Sequence, residues 1–186
     1  MKGEALRHDF GSGEVAAYRW INADGQEGGI VAASATVADS AFIGHGASVG
    51  YRASIGVDAS VGAYAFIGYR ATIGDEATIG AAASIGDYAR IGCGASIGDG
   101  ASIGDGDWYI SGGPCGSRGA TWTAVHSREH GLRWWVGCQR GISTEALLER
   151  VQAEHGDNDH ARAYRHAVQC VTTHPEYLRR VAAQAE

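Results

Sequence analysis

The sequence is poor in proline, in lysine and in long apolar runs. It has 2 prolines among 186 residues, and of its 15 basic residues only Lys2 is a lysine. The first ten residues, MKGEALRHDF, lack the apolar stretch that a signal peptide needs. No apolar run approaches the roughly 20 residues of a membrane-spanning helix. We therefore expect a cytoplasmic protein with no membrane partner.

Paired cysteine spacing is absent as well. Cys93, Cys115, Cys138 and Cys170 are widely separated, with no pair at the short spacing of a disulfide or metal motif. Disulfides persist mainly in oxidising compartments, so this usage favours free thiols in a reducing cytoplasm.

Positive charge is scarce in the first part of the chain. Residues 1–106 contain 6 basic and 12 acidic side chains, whereas residues 107–186 contain 9 of each. A duplex nucleic acid requires a basic face to neutralise its phosphates. The charge distribution therefore argues against duplex nucleic acid as a partner.

Glycine is abundant, at 29 residues, and it belongs to a strict six-residue repeat. An aliphatic residue recurs at every sixth position, preceded by alanine two positions earlier and followed directly by glycine in most repeats. No helix has such a period, which is typical of a parallel β-helix with one short strand and one corner per repeat. The aliphatic positions are Val31, Val37, Ile43, Val49, Ile55, Val61, Ile67, Ile73, Ile79, Ile85, Ile91, Ile97 and Ile103.

Strand geometry assigns a role to each position of the repeat. Side chains two residues apart point to the same face, so the alanine and the aliphatic residue both point inward. Three strands complete one turn, which places residues 18 apart about 4.8 Å above one another. Residues 31–106 therefore predict about four coils.

This pattern resembles the hexapeptide-repeat family. The resemblance implies a left-handed coil, against the usual right-handed crossover, and a homotrimer that binds ligands in clefts between its subunits. A second resemblance covers Ser111–Gly119, Gly137-Cys138, His155–Asn158 and Ala163-Tyr164. These segments are similar to the C-terminal part of hexapeptide-repeat proteins encoded by phages and prophages, which implies a viral origin and a host cytoplasm.

The end of the period at Gly106 suggests three segments. Residues 1–30 form an N-terminal cap with strands near Glu14–Trp20 and Gly29–Val31, residues 31–110 form the solenoid, and residues 111–186 form a C-terminal domain. The run 111–114 reads as a linker. The predicted fold is mainly β: a left-handed parallel β-helix followed by a small α+β domain.

The sequence of the C-terminal domain predicts two strands followed by three helices, a ββααα order. A hairpin joins Thr121–His126 to Leu132–Cys138. Ser143 or Thr144 caps the first helix, which Gly156 ends, and the run 157–159 caps the second. A third helix begins near 173–176.

The enzymes of the hexapeptide family need groups that this repeat lacks. Its acyltransferases use a histidine base and often a loop extruded from a coil; here the repeat has no insertion, and its one histidine is His45. Its zinc-dependent carbonic anhydrases need three histidines. The C-terminal pairs His126 and His130, or His155 and His160, lack a third ligand at suitable spacing. We therefore predict no catalytic residue, no metal and no cofactor.

The corner residues, sorted into columns 18 apart, suggest a binding site. In one column Tyr51-Arg52 and Tyr69-Arg70 are in register, and Tyr88 adjoins them. Tyrosine rings stack on flat ligands, and arginine holds phosphate or carboxylate. The same residues also suit an intrachain edge in which the arginines pair with Asp87, or a subunit interface. We predict Arg133 and Trp134 as further ligand contacts.

Two outward phenylalanines, Phe42 and Phe66, lie among serines and threonines, and favour packing against another subunit or the C-terminal domain.

Together these features predict a non-catalytic trimer, a sponge that captures a small phosphorylated or nucleotide-type ligand at subunit clefts. Two alternatives stay open. One is an acyltransferase that recruits His45 or His126, and the other is a structural virion protein without a ligand.

Overall fold

The chain divides into two units at the residue where the six-residue period ends. This computed structural model describes residues 1–11, 13–115, 120–136 and 139–184. The units are Met1–Gly106 and Asp107–Glu186. The first unit contains the whole repeat, as the period predicts.

Two-residue strands build a parallel solenoid of about four turns in the first unit. Residues 18 apart pair in register, for example Thr72 with Arg90 and Ile73 with Ile91. The strands form three sheets, ordered β3-β6-β9-β12-β15, β4-β7-β10-β13 and β5-β8-β11-β14. The predicted β-helix is confirmed, while its left-handed coiling stays a prediction. The strands are β3 (Glu27–Ala32), β4 (Thr36–Val37), β5 (Phe42–Ile43), β6 (Ser48–Val49), β7 (Ser54–Ile55), β8 (Ser60–Val61), β9 (Phe66–Ile67), β10 (Thr72–Ile73), β11 (Thr78–Ile79), β12 (Ser84–Ile85), β13 (Arg90–Ile91), β14 (Ser96–Ile97) and β15 (Ser102–Ile103).

The aliphatic column fills the interior of the solenoid. Ile73 is 1 % exposed and Val61 is 0 % exposed, and the other repeat positions are similarly buried except the half-buried Val37 of the first coil. Glycine is needed after the aliphatic residue because the next coil lies against it. A Cβ added at Gly74 would lie 2.5 Å from the backbone nitrogen of Cys93. The predicted inward face is confirmed.

An N-terminal hairpin extends one solenoid sheet. β1 (Lys2–Asp9) pairs with β2 (Glu14–Ile21), and β2 pairs with β3, both antiparallel. Tyr18 and Trp20 on β2 are buried. The sequence predicted β2 and β3 but missed β1, whose largely exposed residues carry no alternating apolar pattern.

The second unit is an antiparallel sheet followed by helices. Among its described residues the strands are β16 (Trp108–Cys115), β17 (Ala120–Ser127), β18 (Gly131–Val136) and β19 (Gln139–Ile142), paired in chain order. The predicted hairpin is confirmed as β17–β18, although Cys138 lies outside the described residues. The linker prediction is wrong, because residues 111–114 continue β16. β19 was not predicted.

The helices begin and end where capping residues predict. They are α1 (Thr144–His155), α2 (Asp159–Thr172) and α3 (Pro175–Gln184). The Ser143 hydroxyl accepts from Ala146 N–H, and the Asn158 side chain accepts from Ala161 N–H. Buried residues of α1 and α2 pack with those of β17 and β18 in one core, so the predicted small α+β domain is confirmed.

The thiols that the structure describes are unpaired. Cys93 and Cys170 are free and exposed, whereas Cys138 and the side chain of Cys115 lie outside the described residues. Across the described ranges, none of the helices combines the length and apolarity needed to cross a membrane.

Candidate functional site

The predicted Tyr–Arg column forms a ridge along one corner of the solenoid, and we call Tyr51, Arg52, Tyr69, Arg70 and Tyr88 the ridge. Backbone bonds hold its corners in register: Arg70 N–H donates to the Tyr51 carbonyl at 3.0 Å, and Tyr88 N–H donates to the Tyr69 carbonyl at 2.8 Å. Arg52, Arg70 and Tyr88 have φ values of 58°, 53° and 58°. The left-handed conformation is uncommon for these residue types and is held here by the stacked coils.

The tyrosine rings of the ridge form a short stack. Tyr51 and Tyr69 are nearly parallel, 10° apart, with ring centroids separated by 6.0 Å. Tyr88 meets Tyr69 edge-to-face, with centroids separated by 5.3 Å. These geometries lie within the favourable range for aromatic pairs. The stack therefore gives the ridge a fixed aromatic wall.

The arginines of the ridge lie over these rings. The Arg52 guanidinium carbon is 5.3 Å from the Tyr51 centroid. The Arg70 guanidinium carbon is 5.3 Å from the Tyr69 centroid and 6.0 Å from that of Tyr88. Such cation–π contacts stabilise the position of the side chain without neutralising its charge.

Neither ridge arginine has an anionic partner within the part of the chain that the structure describes. The nearby carboxylate of Asp87 instead accepts a hydrogen bond from Tyr69 N–H at 2.7 Å. The alternative in which Asp87 pairs with the arginines is therefore not seen. Both guanidinium groups are exposed and available to an external anion.

Sequence reasoning missed Arg90, which extends the positive charge of the ridge. It is the outward residue of β13, pairs in register with Thr72, and is exposed. It lies one coil beyond Arg70 and two positions further along the chain. Arg90 belongs to the strand that adjoins the corner, so an alignment of the corner columns does not include it.

The two predicted contacts in the second unit both have partners within that unit. Trp134 is 1 % exposed, and its indole N–H donates to the Thr144 hydroxyl at 3.0 Å. Its assignment as a ligand contact is corrected, because its ring packs inside the core between β18 and α1. Arg133 is half-buried and donates to the His130 carbonyl at 3.1 Å.

The histidines considered for catalysis differ in exposure. His45 is exposed and meets Tyr64 edge-to-face at 6.0 Å between centroids. His126 is 3 % exposed and meets the Tyr177 ring at 5.3 Å. Burial and then the Arg180 charge lower the pKa of His126, and Asp107 partly opposes them. Within the described ranges, no three His, Cys, Asp or Glu side chains come together as a metal site.

The outward phenylalanines leave apolar surface on the solenoid. Phe42 is 44 % exposed, and Phe66 is half-buried. Tyr64 on a neighbouring corner is 68 % exposed. These side chains give the solenoid an apolar area suited to contact with another protein surface.

Comparison with known proteins found no match among family models, curated proteins or solved structures. Functional inference therefore depends on the solenoid and on the geometry of its ridge.

Proposed function

We propose that this protein is a non-catalytic, cytoplasmic binding protein that captures a small phosphorylated, nucleotide-like ligand at the ridge. Membership of the hexapeptide-repeat family and a phage origin are part of the same proposal and rest on the residue patterns. A protein that sequesters its ligand needs complementarity to the bound molecule and no group that reacts with it.

The observation that carries the proposal is a pair of exposed guanidinium groups, held over tyrosine rings, without an anionic partner in the described chain. The unit that bears them has an excess of carboxylates, yet Asp87 is bound to the Tyr69 backbone instead. Arginine forks match the geometry of phosphate oxygens, and the adjacent rings suit a flat, π-bearing group. A phosphorylated aromatic molecule satisfies both features.

Assembly into a homotrimer fits the aromatic side chains that the solenoid leaves exposed. Phe42 is 44 % exposed and Tyr64 is 68 % exposed. A cyclic trimer brings different surfaces of neighbouring copies together, so these side chains would be buried at the contacts between subunits, and the ligand would lie in a cleft between subunits at the ridge.

Isothermal titration with adenosine 5′-monophosphate tests the proposed function. Removing one charge-assisted hydrogen bond costs about 1.5–3 kcal/mol, so replacing the ridge arginine that holds the anion, Arg52 or Arg70, by alanine should weaken binding by about 10- to 150-fold. Arg150→Ala, which removes an exposed arginine of the second unit, serves as the control and should leave affinity within about twofold. Equal affinities for wild type, Arg52→Ala and Arg70→Ala would contradict the proposal.

Two measurements separate this function from its alternatives. Light scattering should report a trimer; Arg70→Ala should retain it, and a variant that dissociates would make the ridge an interface only. Mass spectrometry of small molecules released from the purified protein should find a nucleotide-like compound. A retained acyl-carrier fragment would favour acyl transfer instead.

A further inference from the structure

The tyrosine stack does not extend to the first coil of the solenoid. In the column of the ridge, the first position of each corner is Ala33, Tyr51, Tyr69 and Asp87 in successive coils. The second position is Ser34, Arg52, Arg70 and Tyr88. The first coil therefore has a methyl group where the next two coils have a phenol ring. Ala33 and Ser34 are both exposed, so this space is open to solvent.

The register shows which face of the tyrosine stack lacks an aromatic neighbour. Tyr69 has Tyr51 on one side and the edge of Tyr88 on the other. A flat ring inserted between Tyr51 and Tyr69 would need roughly 7 Å, since stacked carbon atoms stay about 3.5 Å apart, and the centroids are 6.0 Å apart. The face of Tyr51 directed toward the first coil has no aromatic neighbour among the described residues, and the Arg52 guanidinium carbon lies 5.3 Å from the centroid of this ring.

The polar groups at this end of the ridge also suit an anionic ligand. Ser34 uses its hydroxyl oxygen to accept from Arg52 N–H at 3.1 Å, which fixes the arginine backbone above it. The opposite end of the column carries Asp87 and Asp105, both exposed, which repel an anion. The charge distribution and the open space therefore both favour binding of an anionic ligand at the first-coil end of the stack.

We propose that the space between Ala33 and Tyr51 is the seat of the ligand's aromatic ring. The ring takes the place of the missing tyrosine and stacks on Tyr51, and its phosphate or carboxylate binds the Arg52 guanidinium. This inference rests on the proposed function and specifies it. The site is one ring deep, so it selects a single flat heterocycle joined to an anionic group, such as a nucleoside monophosphate.

Filling the space with the protein's own ring tests this assignment. Ala33→Tyr continues the stack and should weaken the binding of adenosine 5′-monophosphate at least tenfold, while inorganic phosphate binding changes by less than about threefold. Ala81→Tyr is the matched control: Ala81 is an exposed alanine at the equivalent position of another corner, and its variant should bind as wild type does. Circular dichroism and light scattering confirm fold and assembly for both variants.

A second variant keeps the test decisive if Ala33→Tyr does not fold. Tyr51→Leu removes the stacking face and should weaken the binding of adenosine 5′-monophosphate at least fivefold more than that of ribose 5-phosphate. If Ala33→Tyr and Tyr51→Leu both bind normally while Arg70→Ala is weakened, the ring position is wrong and the proposed function stands. If Arg52→Ala and Arg70→Ala also bind normally, both proposals fail.

Discussion

Replacing Ile73 by alanine probes the solenoid core that every other inference assumes. Ile73 is 1 % exposed and pairs in register with Ile55 below and Ile91 above. The change removes three carbon atoms from a side chain enclosed by the coils on either side. Neighbouring backbones are held at the inter-strand spacing by bonds such as Gly56 N–H to the Ile73 carbonyl at 2.9 Å.

The structure gives the size of the effect. Truncating a buried isoleucine to alanine costs about 2–5 kcal/mol, more where the site cannot collapse around the cavity. Because stacked coils fix the walls, we expect about 4 kcal/mol. This is a large share of the roughly 5–15 kcal/mol by which a typical domain is stable.

Hydrogen exchange followed by mass spectrometry measures this loss in the solenoid alone, since peptides report each unit separately. Peptides covering the coils around Ile73 should exchange several hundredfold faster in Ile73→Ala. The control is Thr72→Ala, an exposed change on the same strand, which should alter exchange by less than threefold. Equal exchange in both variants would refute the assignment of the inward face.

Two further outcomes follow from the structure. Gly74→Ala should destabilise the solenoid by about 1–3 kcal/mol through overpacking, because the added Cβ would clash with the coil above. Gly92→Ala should be nearly neutral, because a Cβ at this position meets nothing within 4 Å. Similar midpoints of urea unfolding for the two variants would be inconsistent with the coil stacking. Because burial lowers the pKa of His126 from 6.5, its neutral form is favoured in the fold, and unfolding takes up a proton as pH falls below about 6.5. The melting temperature of the second unit should therefore fall between pH 7 and pH 5.5, and His126→Gln should flatten that dependence, whereas an unchanged slope would show that His126 is not responsible.

The repeat made the solenoid predictable in detail. A strict period fixes both which side chains point inward and which residues stack, so the pairing of Thr72 with Arg90 follows from counting. β1 could not be predicted this way. Its residues are mostly exposed, and the strand exists because its backbone pairs with β2. β19 is four residues long and was missed for the same lack of pattern.

The candidate site was predictable in register but not in contacts. Counting by 18 aligned Tyr51 with Tyr69, and the structure brings their rings together. Sequence could not decide between Asp87 as a partner of the arginines and Asp87 as an acceptor for the backbone. It also could not reveal that Trp134 is enclosed by the helices, because alternation along β18 does not say what covers each face of a sheet.

The most direct test of the central claim is the nuclear magnetic resonance signal of the arginine side chains during titration with adenosine 5′-monophosphate. Arginine Nε–H groups report hydrogen bonding to an anion individually, and variants at Arg52 and Arg70 assign their signals. We predict saturable shifts for Arg52 and Arg70, with those of Arg150 and Arg165 on the second unit unchanged. Shifts confined to the second unit, or no saturable shift at all, would contradict binding at the ridge.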